Sequence, residues 1–109
     1  MKLEYSPEFD RRLKAFHDYI RDELKSPETA IRNINLILNQ CSLLSFMPMI
    51  GMSICIGGGR ETGIRMLILD HHAVLYRFSE DFVDISTLLD TRTEEFSKVM
   101  EEIRHERSV

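Results

Sequence analysis

The chain has 109 residues, 43% of them apolar and 29% charged, with 14 Lys/Arg against 18 Asp/Glu. That is the size of one domain, residues 1–109, long enough to bury a core without staples. The net charge of −4 weighs against a uniformly basic nucleic-acid surface, and no apolar run nears the ~18 residues of a membrane span. Met1–Pro7 carries no apolar signal-peptide core. The two cysteines, Cys41 and Cys55, are too few for a disulfide scaffold, so a reducing compartment is expected.

Leu3 and Tyr5 alternate with Lys2 and Glu4, which predicts a short strand. Ser6-Pro7-Glu8 is a helix start: a capping hydroxyl, a proline at the first helical position and an acid at the positive dipole end. Phe9, Leu13, Phe16, Ile20 and Leu24 then recur on one helical face to about Lys25. Ser26-Pro27-Glu28 repeats the start signal, and Ala30, Ile31, Ile34, Ile37, Leu38 and Cys41 continue it to near Phe46. The short link predicts an antiparallel hairpin of helices that must pack on something flat.

Four short apolar runs follow: Met52–Ile56, Ile64–Leu69, Ala73–Phe78 and Val83–Leu89. The brief turns between them predict an antiparallel meander. Phe96, Val99, Met100 and Ile103 predict a closing amphipathic helix, with Glu94 and Glu95 in its first turn. The order β-α-α-β-β-β-β-α implies a two-layer α+β domain, in which the helix hairpin packs on a mainly antiparallel sheet. The N-terminal strand must join that sheet to find a partner.

Familiar catalytic and metal patterns are absent. Gly57-Gly58-Gly59 precedes no helix and no Gly-Lys-Ser/Thr, so it reads as a hairpin tip rather than a phosphate cradle. His71 and His72 are adjacent, so on a strand they point apart. No cysteine–histidine spacing resembles a zinc site, and neither metal nor cofactor is expected. Cys41 occupies a helical core position with no basic neighbour to activate it.

Arginine carries the more specific signal. There is no lysine between Lys25 and Lys98, and each positive charge between them is an arginine: Arg32, Arg60, Arg65, Arg77 and Arg92. A guanidinium offers a planar fork to carboxylate or phosphate. If the meander gathers its ends, Arg65 and Arg92 form a two-pronged anion site.

Several of these segments together resemble the RelE/ParE toxin superfamily. They are Tyr5-Ser6-Pro7-Glu8-Phe9, Ser26-Pro27-Glu28-Thr29-Ala30, Pro48 with Gly51, Gly63-Ile64-Arg65-Met66-Leu67, Val74-Leu75-Tyr76-Arg77-Phe78, and Ile85 through Leu89-Asp90-Thr91-Arg92. The resemblance covers about residues 3–100. It implies the toxin of a bacterial type II toxin–antitoxin system, cytoplasmic and growth-inhibiting, held in a hetero-oligomer by a cognate antitoxin protein. The RelE branch cuts ribosome-bound messenger RNA without a metal, and the ParE branch poisons DNA gyrase.

Arg65 and Arg92 match arginines of the RelE-type toxins. Met52–Ile56 holds none of that branch's lysines, however, and Phe96 and Lys98 lie where its C-terminal tyrosine would stand. The long hairpin with Ser-Pro-Glu-Thr-Ala resembles the ParE branch. The favoured reading is therefore a ParE-like gyrase poison. The alternatives are a ribosome-dependent endoribonuclease using Arg65 and Arg92 with Glu61 or His71, and an inactive antitoxin-binding member. Phe9, Leu13, Phe16 and Leu44 are the expected antitoxin contacts on the hairpin.

Overall fold

A computed structural model describes residues 1–108. The elements are β1 (Lys2–Tyr5), α1 (Pro7–Asp22), α2 (Pro27–Leu43), β2 (Met52–Ile56), β3 (Arg60–Leu69), β4 (His72–Phe78), β5 (Phe82–Asp90) and α3 (Glu94–Ser108). The five strands form one sheet in the order β1-β5-β4-β3-β2. β2 to β5 are an antiparallel meander, and β1 joins its far edge parallel to β5, with Leu3 opposite Val83 and Tyr5 opposite Ile85. The expected α+β order is the observed one.

Local chemistry sets the helix ends. Ser6 caps α1 by accepting the Phe9 amide at 3.0 Å, and its hydroxyl donates to Ser86 O across the sheet. α1 stops at Asp22 rather than near Lys25, because Lys25 takes the left-handed conformation (φ 51°) that turns the chain. Ser26 donates to the Thr29 side chain at 2.6 Å instead of capping a backbone amide. α2 ends at Leu43, not Phe46: residues 44–46 form a tighter turn, in which Leu44 and Phe46 N–H donate to Cys41 O and Leu43 O. β3 begins at Arg60, four residues before the apolar run, after a single 3-10 turn at Gly57–Gly59 in which Gly58 and Gly59 have positive φ.

The sheet is covered on both faces. Phe9, Ile37, Cys41 and Leu44 of the hairpin and its C-terminal turn pack on Leu67, Val74, Tyr76, Val83, Ile85 and Leu88. On the opposite face Phe96, Val99, Met100 and Ile103 of α3 pack on Ile54, Leu75 and Leu89. So α3 lies on the other side from the hairpin and adds a third layer to the two expected. A bulge in β5 makes this two-sided pattern possible. Leu75 pairs with Thr87 while Tyr76 pairs with Ile85, leaving Ser86 as the extra residue. The hairpin-facing positions therefore shift from Val83 and Ile85 to Leu88.

Candidate functional site

The hairpin-facing side of the sheet has two clusters of polar groups, one toward each end. The first is built on β3 and β4. Arg65 and Tyr76 are register partners, so their side chains leave the same face. Both reach the loop that joins α2 to β2. Arg65 Nε and Nη2 donate to Gly51 O at 3.1 and 2.6 Å, and Nη2 also donates to Met49 O at 3.1 Å. The Tyr76 hydroxyl donates to Pro48 O at 2.7 Å and accepts the Gly51 amide at 3.0 Å. Gly51 is thus held by its N–H and its C=O at once. A Cβ there would lie 2.6 Å from Tyr76 Oη and 2.9 Å from Met66 O, so the close approach requires glycine.

The second cluster lies where β5 leads into α3. Arg92 forms a fork on Asp90: Nε to Oδ1 at 3.1 Å, Nη2 to Oδ2 at 2.9 Å, and backbone N–H to Oδ1 at 2.9 Å. These bonds to Arg92 hold the Asp90 carboxyl down at a pKa of about 2. Thr93 follows as a cap, donating to Asp90 O and accepting the Phe96 amide. Nearby, His72 packs against Phe16 with ring centroids 4.3 Å apart and planes tilted by 49°, and burial lowers its pKa below the ordinary histidine value. Phe16, Tyr19, Asn33, Leu36, His71, His72 and Arg92 are among the residues around a cleft of about 600 Å³ between the hairpin and the β3–β4 turn.

The expected two-pronged anion site does not form. Arg65 shares a register row with Tyr76, whereas Asp90 shares one with His72 and Leu69. Those rows are separated along β3 by roughly 13 Å at the strand rise, and Arg92 lies beyond the second. Each guanidinium already binds protein oxygen. The other nuclease candidates divide in the same way: Glu61 lines a cleft of about 200 Å³ with Arg65, and His71 lines the cleft of about 600 Å³ with Arg92. No group of three or more metal-ligating side chains exists among the described residues.

The expected antitoxin contacts also separate. Phe9 and Leu44 are fully buried in the core, so neither offers a surface. Periodicity places them on the apolar face of a helical hairpin but cannot say how far the sheet covers that face. Leu13 and Phe16 are partly exposed and line two different clefts, one on each flank of α1. Gly51, Tyr76 and Asp90 had no place in the sequence reading as site residues. Asp90, two residues before Arg92, was the one with a local signal.

A helix hairpin over one face of a mixed sheet, whose first strand runs parallel to its last, is an α+β architecture. The same fold is seen in a solved structure, the chromosomal ParDE TA system from P. aeruginosa, at a TM-score of 0.69 and 20% identity, over 84% of this chain and 97% of that one. The family model of the ParE toxin of the type II toxin–antitoxin system parDE matches residues 3–95. The chain belongs to this ParE toxin family. A comparison with curated protein sequences finds no match. No helix of the described residues is long and apolar enough to cross a membrane.

Proposed function

We propose that this protein arrests growth by inhibiting DNA gyrase in the cytoplasm, by binding rather than by chemistry, and that a cognate antitoxin neutralises it. The observation that carries the reading is the family match, which spans residues 3–95 and stops at the first turn of α3. The engagement of both arginines supports it further. A metal-independent nuclease needs a base, an acid and cations around one phosphate, and here Arg65 with Glu61 stands apart from Arg92 with His71. The antitoxin contacts are Leu13 and Phe16, each opening into a cleft beside α1 where an apolar side chain can enter.

Supercoiling by purified gyrase, with and without the protein, tests this reading. Inhibition that disappears on adding the antitoxin is expected, with no new ends in ribosome-bound message. Message cleavage with intact supercoiling would replace the proposal with the endoribonuclease.

A further inference from the structure

No charged side chain occurs between Arg32 and Arg60, in a chain that is 29% charged. Part of that stretch lies on the surface. Phe46, Met47, Met49, Ile50 and Met52 are 82%, 52%, 65%, 41% and 58% exposed. Together they open on the order of 500 Å² of apolar surface, scaled from the area of whole aromatic side chains. That is as large as the largest apolar patch of an ordinary monomer, which is often functional. Nor is it a loose loop, since Arg65 and Tyr76 fix its backbone at Pro48, Met49 and Gly51. Burial would account for apolar side chains here, but these are displayed on a held frame.

The patch runs into β2, an outer strand of the sheet. Proteins blunt such edges with lysine, proline or inward charge. β1, at the opposite edge, carries Lys2 and Glu4, whereas Met52-Ser53-Ile54-Cys55-Ile56 carries neither charge nor proline, and its one irregularity is the register shift against β3 between Ser53 and Cys55. Beyond β2 no further strand pairs among the described residues.

We propose that β2 and the 46–52 loop form a twofold interface between two copies of this chain. β2 pairs antiparallel with β2 of the second copy, and the two five-stranded sheets become one. Three observations select a second copy as the occupant. An antiparallel edge is its own complement about a twofold axis. Each copy carries a net charge of −4, and the 33–59 stretch that forms this edge contributes none of it. The apolar patch supplies over half of the ~800 Å² per partner that a stable interface needs, and the strand edge supplies the remainder. A nucleic acid would find no cation on β2 or the 46–52 loop themselves.

Sedimentation of the purified full chain tests this without gyrase or antitoxin, so its outcome is independent of the proposed function. A dimer is expected across the micromolar range. Met49→Glu with Met52→Glu should weaken it at least about tenfold, while circular dichroism shows the same fold. Cys55 gives a second readout. It is exposed on β2, and with the twofold near Ile54 the two Cys55 positions lie roughly 8–10 Å apart by strand spacing. A short bis-maleimide should link the copies, and Cys55→Ser should abolish the link. A monomer at every concentration, or a dimer unaffected by the double substitution, overturns the interface. A monomer whose double variant loses antitoxin or gyrase binding assigns the patch to that partner instead.

Discussion

At one end of the sheet a guanidinium and a phenol hydroxyl reach across to grip a loop by its backbone. At the other, a guanidinium lies in solvent against the carboxylate two residues before it. Arg65 and Arg92 have the same side chain and satisfy the same donors. What differs is what their partners would do without them. The carbonyls and amide of the 48–51 segment are held partly away from water, and among the described residues no other side chain bonds them. Asp90 is partly exposed and keeps the backbone amide of residue 92 whatever side chain stands there. An arginine's structural weight thus depends less on its bonds than on the alternatives open to the groups it binds.

The sharpest way to break the comparison is at Gly51. Gly51→Ala forces a Cβ against Tyr76 and the Met66 carbonyl, both anchored in the sheet. It should cost about 2–3 kcal/mol and lower the melting temperature by roughly 10 °C. An unchanged melt would mean that the loop gives way and is not held as described.

A matched pair of truncations comes next. Arg65→Ala should cost about 1–2 kcal/mol, from charge-assisted bonds to carbonyls left unpaired. Arg92→Ala should leave the melting temperature unchanged within error, because its ion pair is exposed. Equal losses at the two positions would erase the distinction.

The smallest expected effect is a pH dependence at the Arg92 end. His72 is packed against Phe16, and burial lowers its pKa below 6.5 against the opposing pull of Asp90 and Asp70; Arg92 and His71 push the same way as burial. The folded state therefore takes up this proton less readily than the unfolded chain. The stability it contributes is complete above about pH 6.5 and drains away as the pH falls toward the folded value. Thermal melts on either side of that pH should show a modest loss on acidification, absent in His72→Gln. A loss of equal size in the variant would place the effect elsewhere.

Much of the fold was legible because its signals are local. Ser6-Pro7-Glu8 and Ser26-Pro27-Glu28 mark both helix starts, and alternation marks the meander. The clamp on Gly51 was not legible, because its partners come from 14 and 25 residues away and no periodicity records them. The bulge at Ser86 was hidden too: an extra residue reverses which side chains face the core, and only pairing reveals it. Phe9 and Leu44 were placed correctly on an apolar face, but their depth depends on how the hairpin settles on the sheet.

The parallel pairing of β1 with β5 also bears on how the protein is made. Its first strand must wait for Phe82–Ile85 before it has a neighbour. During synthesis, more than three quarters of the polypeptide leaves the ribosome before the sheet can be completed. Such distant closure is slow, since loop entropy is lost before contacts repay it. A truncated translation product lacking β5 would leave β1 unpaired, so the finished shape belongs only to nearly full-length chains.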